Sequence, residues 1–354
     1  MKQKKSFQEA ILMADILAEP EINIDWHADR ILAILKASFS NFTIKPKIYP
    51  IDFVSKNERF NRDIFFIKSG LSSRDTMNRL INFDEISKDS LKYFSKFFNS
   101  DIIIIGWELQ KLTTDILDSI GASYINIWLH PIRFLEDEIF LLQTNNKTIE
   151  KKFQYFEIDE SSFYVNASFV RASLLNSKKI YNLPSDSCVI FGQTQHDKTL
   201  RVSNGKLTLF RYKEHIEALC NKFDNIYFVS HPLDKDNKEL IEFISSFEKI
   251  NIINANAYSL LSSNNLKLAV AISSSVCTEA YYFGKNVLFF NQPICNIKAE
   301  GSYSIGKDIF FPTFWATLFN LEKNHINKNF IFNRKNQVRD ILNAYYSYSI
   351  LEEK

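Results

Sequence analysis

The stretch "LAVAISSSVCTEAYYFGKNVLFF" (268–290) decides the fold. Its apolar start, Leu268 to Ile272, reads as a buried strand that runs into Ser273, Ser274 and Ser275 and then into a helical period over 276–284. "FGKNV" closes that helix and opens the next apolar run. Strands that are apolar without alternation have both faces covered, and a helix between two of them implies a parallel connection.

The same alternation extends outward. Further strand candidates in the second half are "SCVIFGQ" (187–193), "NIYFVSHP" (225–232) and "NIINAN" (251–256), with helical periods over 208–223 and 235–248. In the first half they are "DIFFIKS" (63–69), "DIIIIGWE" (101–108) and "YINIWLHP" (124–131), with helices over 86–98 and 109–120. Two such sets imply an α/β chain of two Rossmann-type parallel-sheet domains. Their boundary falls near 175–186, where "NSKKIYNLPSDS" is polar and contains Pro184. The expected organisation is an α/β domain over 1–180, a second over 181–320, and a helical segment over 321–354 that packs back across both.

Composition sets broad limits. A chain of 354 residues with 45% hydrophobic and 24% charged residues is an ordinary soluble protein with room for two cores. A net charge of +2 gives no electrostatic case for nucleic acid. Asp15 interrupts the apolar run "AILMADILA", so no signal peptide is read, and no run approaches the ~18 apolar residues of a membrane span. The expected location is cytoplasmic, with room for peripheral association at the inner face of the cytoplasmic membrane. Cys188, Cys220, Cys277 and Cys295 form no CxxC pair, which fits buried thiols in a reducing compartment and no structural zinc.

Ligands of open α/β sheets bind beyond the carboxyl ends of the strands, so the strand ends are where chemistry is sought. "FGQTQHDKTL" (191–200) leaves its strand at Gly192 and then spends five positions on Gln193, Thr194, Gln195, His196 and Asp197. "FVSHPLDKD" (228–236) ends in His231-Pro232, where proline stops the strand and turns the imidazole out. Ser273, Ser274 and Ser275 precede a helix whose free N–H groups, with the hydroxyls, suit a phosphate. Glu279, one turn on, suits ribose hydroxyls. "WLHPIRFLEDEIF" (128–140) carries His130, Arg133 and the run Glu136, Asp137, Glu138 between apolar neighbours. At least one of these carboxylates should therefore be partly buried, with a raised pKa suited to acid catalysis. Singly, each feature has an ordinary reading: a turn, a helix cap, a solvated loop, an acidic surface. Their occurrence at successive strand ends favours a site. No DxD-like pair ends a strand, and "DKD" (234–236) reads as the start of a helix, so no metal is expected.

Together these residues resemble the bacterial retaining β-Kdo glycosyltransferases that build capsule linkers and cap some O-antigens. The family's Gln-x-x-x-Asp motif is matched by Gln193 to Asp197, its HP motif by His231-Pro232, and its Ser-rich turn with Glu-Ala by Ser273–Ser275 and Glu279-Ala280. The "FLEDEIF" run looks like its Glu-Asp segment, and the match spans roughly 100–295. The resemblance implies a GT-B-like architecture with a cleft between the domains and CMP-β-Kdo as donor. The acceptor is a saccharide or lipid-linked saccharide, in capsule, O-antigen or lipopolysaccharide synthesis, and no cofactor is required. It makes Asp197 the nucleophile of a double displacement and Glu136 the acid/base, with Asp137 or Glu138 as alternates because Glu138 stands where relatives tend to have Gly. Gln193, His231, Ser273, Ser274, Ser275 and Glu279 would bind the donor. His196, Lys198 and Arg133 are candidate substrate contacts, and Arg133, Lys198 and Arg201 are candidates for the donor's carboxylate. Rival readings are an inverting CMP-sialic acid transferase, a non-catalytic sugar-nucleotide binder, and a nucleotide-sugar epimerase, which would take a uridine nucleotide.

Overall fold

The computed structural model of the chain describes residues 7, 9–18, 26–39, 47–48, 60–72, 75–76, 79–194, 197–234, 236–320 and 335–352. Two sheets with parallel cores organise them. The first contains β1 (Glu9–Ala14), β2 (Lys47–Ile48), β3 (Ile102–Trp107), β4 (Ser123–Leu129), β5 (Phe140–Thr144) and, from much later in the chain, β13 (Tyr303–Ile305). Its order is β2-β1-β3-β4-β5-β13, with β5 antiparallel to β4 and β13 antiparallel to β5. The run "IIIIGW" of β3 is buried at every position because the strand is central and both sheet faces are covered.

The second sheet contains β6 (Ser187–Phe191), β9 (Ile226–Val229), β10 (Ile250–Ile252), β11 (Leu266–Ala271) and β12 (Asn286–Phe289). Its strands lie in the order β10-β9-β6-β11-β12, and every pairing is parallel. The chain steps outward from β6 through β9 to β10, then crosses to the other side of β6. The reversal falls between β6 and β11, the position where doubly wound sheets open a crevice. A small hairpin, β7 (Arg201–Val202) with β8 (Gly205–Lys206), follows β6.

One predicted strand is a helix. "DIFFI", the first five residues of that stretch, lies in the helix Arg62–Ile67, whose N-cap Asn61 accepts the Ile64 N–H at 3.0 Å. Phe65 and Phe66 are buried, whereas Ile64 and Ile67 are 44% and 67% exposed. A strand would alternate these faces one by one. Here adjacent phenylalanines face the same core, meeting Phe60, Phe94 and Phe98, and this packing with the cap overrides the β preference of the residues.

The chain crosses between the two sheets more than once. Residues 303–319 return to the first sheet ahead of position 320: β13 pairs with β5, while Phe310, Phe314 and Trp315 join the core of Phe39, Ile105 and Phe140. The acidic run departs from the first sheet after β4, and its Phe134, Leu135 and Ile139 belong to the core of the second, with Tyr258, Ala280 and Phe283. Phe134 meets the Phe283 ring edge-on at 5.5 Å.

Arg339, fully buried in the helix Gln337–Leu342, holds this crossing in shape. Its guanidinium donates to Glu138 Oε1 at 3.2 Å and to the carbonyls of Arg133, Leu135 and Glu136 at 3.0, 3.2 and 3.2 Å. Tyr348 covers one face of it at 3.7 Å. Asp137 accepts the N–H groups of Val338 and Arg339 at 3.0 and 2.9 Å, placing a carboxylate where a helix start favours negative charge. Of the 321–354 segment expected to pack back, residues 321–334 lie outside the described residues; 337–342 make the contacts just given.

Removing one partner of a buried ion pair leaves an uncompensated charge, so Arg339→Met should cost about 3–5 kcal/mol in urea unfolding. A loss below about 1 kcal/mol, the usual yield of an exposed pair, would contradict this role.

Candidate functional site

The gap between β6 and β11 is bridged by Gln193. Its side-chain carbonyl accepts the Ser273 N–H at 2.7 Å, and its amide nitrogen donates to Asp197 Oδ2 at 3.0 Å and to Ser273 Oγ at 3.2 Å. Thr199 completes the cluster. Its N–H and hydroxyl donate to Asp197 Oδ1 at 2.9 and 2.8 Å, and its Oγ1 lies 2.9 Å from Ser273 Oγ. Both oxygens of Asp197 are thus held by hydrogen bonds, and the side chain is partly exposed. Three residues expected near substrate, Gln193, Asp197 and Ser273, are brought together from strand ends 80 positions apart in the chain.

Gly192 makes this possible. A Cβ there would sit 3.2 Å from Phe228 Cζ, 3.2 Å from Val229 O and 3.3 Å from His231 N. Its N–H is bonded to Val229 O at 2.8 Å, so the strands cannot part to admit a side chain. The same contact places His231 beside the cluster. His231 Nδ1 accepts the Leu233 N–H at 3.1 Å, so in the neutral ring Nε2 carries the proton. Burial lowers the His231 pKa against the opposing pull of Asp197 and Asp234, and the charge of Arg133 lowers it further. In that tautomer Nε2 is a hydrogen-bond donor.

The helix Ser275–Tyr282 starts at Ser274, whose hydroxyl makes no cap bond. Its first N–H groups have no intrahelical acceptor, and Ser274 and Ser275 stand at that end. Glu279, expected to meet ribose, is 2% exposed and accepts at Oε1 from the Arg133 N–H and the Tyr258 hydroxyl, both at 2.8 Å. Burial raises its pKa to about 7. Its role visible in the fold is to tie the acidic segment to the second sheet.

The three carboxylates of that segment have different fates. Asp137 is taken up by the helix start, and Glu138 by Arg339. Glu138 is fully buried, which raises its pKa to about 7 despite Arg133 and Arg339. Glu136 is exposed, and its carboxylate has no partner among the described residues. Lys198 is ion-paired with Glu108 at 2.9 Å, both largely buried, which joins the second unit to the end of β3. Glu108 itself sits at φ 50°, a left-handed conformation costly for a residue with a side chain. His196 lies outside the described residues.

Sequence reasoning did not assign Asp15 or Glu108. Asp15 directly follows β1 and accepts from the N–H groups of Leu17 and Gln110 at 2.9 and 2.6 Å and from the Thr113 hydroxyl at 2.7 Å. The available signal was a carboxylate directly after a five-residue apolar run. His130 repeats the local geometry of His231, with Nδ1 accepting from Ile132 at 3.0 Å, but it is fully buried against Ser304. It is a core histidine whose pKa burial lowers to about 3. Among the described residues no cluster of three His, Cys, Asp or Glu could hold a metal ion, and no helix is long and apolar enough to cross a membrane.

No protein-family model and no curated protein matches this chain. Solved structures similar in fold include two transferases of Thermosulfurimonas dismutans KpsC. One is the β-Kdo 2,7-transferase, 13% identical, covering 94% of this chain and 88% of the other at a TM-score of 0.39. The other is the β-Kdo 2,4-transferase, 14% identical, covering 54% and 69% at 0.36. The UDP-GlcNAc 2-epimerase of Methanocaldococcus jannaschii is 13% identical, covering 98% and 99% at 0.31. The chemistry of the site rests on its own geometry.

Two outcomes follow from that geometry. Gly192→Ala should destabilise the protein by about 1–3 kcal/mol in denaturant unfolding, as overpacking does; an unchanged midpoint would contradict the close contact. Glu279 has a folded pKa raised above its unfolded value, so the stability from its neutral form is full below pH about 4.5 and is lost as pH rises through about 7. Glu279→Gln keeps the acceptor and removes the titration. Its thermal midpoint relative to wild type should therefore rise between pH 5 and 8, and a constant difference would refute the assignment.

Proposed function

We propose that the chain is a glycosyltransferase that uses a sugar nucleotide, and specifically a retaining β-Kdo transferase with CMP-β-Kdo as donor. The supporting observation is Asp197: a carboxylate held at both oxygens, at the sheet reversal, beside a serine-rich helix start. Such a group is oriented for attack without being buried in an ion pair. The phosphate of the donor would meet the free N–H groups of the helix Ser275–Tyr282, with hydroxyls from Ser274 and Ser275 and a hydrogen bond from His231 Nε2.

In the first step Asp197 attacks the anomeric carbon, the bond from that carbon to the phosphate oxygen breaks, and CMP leaves with the electron pair. A glycosyl ester remains on Asp197. In the second step an acceptor hydroxyl gives its proton to a base and attacks the same carbon, and the electron pair of the ester bond returns to Asp197. Two inversions give net retention. Glu136 is assigned as the base by elimination, since Asp137 and Glu138 are committed to Arg339 and its helix. Gln193 orients Asp197. The acceptor is a saccharide, free or lipid-linked, in surface-polysaccharide synthesis. No metal or cofactor is invoked for either step.

Asp197→Ala should reduce transfer from in-situ generated CMP-Kdo by at least about a thousandfold, while CMP still protects the variant against thermal unfolding. Retained transfer would favour an inverting mechanism with no enzymatic nucleophile. Protection by UDP and not by CMP would replace the reading with an epimerase-like one.

A further inference from the structure

We propose that Arg133 is the receptor for a carboxylate on the sugar of the donor, an inference that rests on the reading above. The structure leaves Arg133 with an unmet demand. Its Nε is buried without a hydrogen-bond acceptor, and no hydrogen bond to the rest of its guanidinium occurs among the described residues. A buried N–H of a charged group is costly unless an acceptor completes it. Two carboxylates stand near enough to act on its charge, Glu138 and Glu279, yet neither bonds to it: Glu138 turns to Arg339, and Glu279 to the Arg133 backbone N–H and Tyr258.

The surroundings define what fits. Tyr346 covers a face of the guanidinium at 4.7 Å, so an acceptor must approach in the plane, along the edge that carries the unpartnered Nε. A planar carboxylate makes two parallel hydrogen bonds in that geometry. Location favours the sugar over the phosphate. Arg133 belongs to the segment after β4, whereas Ser274, Ser275 and His231, the phosphate-type donors, follow strands of the second sheet. Its charge reaches both His231 and Cys295, and Cys295 also senses Asp197, Glu108 and Lys198, so Arg133 and the proposed nucleophile share one neighbourhood. The other candidates are less available: Lys198 is paired with Glu108, and Arg201 lies in the β7 hairpin. Kdo carries its carboxylate on the anomeric carbon itself. A residue gripping that group would fix the reacting centre against Asp197.

The test uses saturation-transfer NMR on the full chain with three separate probes: CMP, Kdo, and Kdo methyl ester. Wild type should bind the acid and discriminate against the ester by about tenfold or more, the loss expected for one charge-assisted pair. Arg133→Met should lose acid binding to the same degree and keep CMP affinity. Arg133→Lys, which keeps the charge but not the fork, should fall between and serves if the methionine variant does not fold. Equal binding of acid and ester, unaltered acid binding in the variants, or no acid binding by wild type overturns the inference. So does a parallel loss of CMP, which would assign Arg133 to the phosphate. Failure of wild type to bind CMP defeats the proposed donor class and leaves the acid-against-ester comparison to decide on Arg133.

Discussion

Adjacent strands β6 and β11 leave the second sheet in opposite directions, and something must close the space between their ends. Gln193 does so, with its carbonyl on the Ser273 N–H and its amide on Asp197. An amide is suited to this because it accepts at one atom and donates at the next. It can therefore brace a backbone on one side and aim a carboxylate on the other. A glutamate would repel Asp197, and an apolar residue would leave buried N–H and hydroxyl groups unmet. The crevice of the fold and the orientation of its acid are thus one interaction.

The second constraint is the crossing of the acidic segment. Phe134 and Leu135 anchor it in the core of the second sheet, while Arg339 binds its carbonyls from behind. This fixes the backbone on either side of Arg133 and Glu136. The Lys198–Glu108 ion pair adds a second tie between the units, adjacent to Asp197. The acidic segment and the Asp197 loop are therefore each tied down by buried contacts.

Much of this was legible in the residues. Strand β11 and its helix followed from apolar runs and caps, since a fully covered strand has a composition no surface strand has. Gln193, Asp197, His231 and Ser273 could be found by looking only at strand ends. The helix Arg62–Ile67 was misread because paired phenylalanines serve either period, and packing against Phe60 and Phe94 decided it. Strand β13 was invisible, being three residues whose partner lies about 160 positions earlier. The acidic triplet could not be resolved into its three roles, because Arg339 settles them and lies 201 residues downstream of Glu138. The burial of His231 was hidden for a similar reason: it is set by the fold, not by the HP dipeptide.

The central claim is that Asp197 forms a covalent bond with the sugar while a separate carboxylate serves as base. Intact-mass spectrometry of Glu136→Gln incubated with in-situ generated CMP-Kdo addresses it directly. The account predicts accumulation of protein heavier by one Kdo unit, with the added mass mapping to a peptide containing Asp197. Release of CMP and formation of product with no adduct at any time would contradict it.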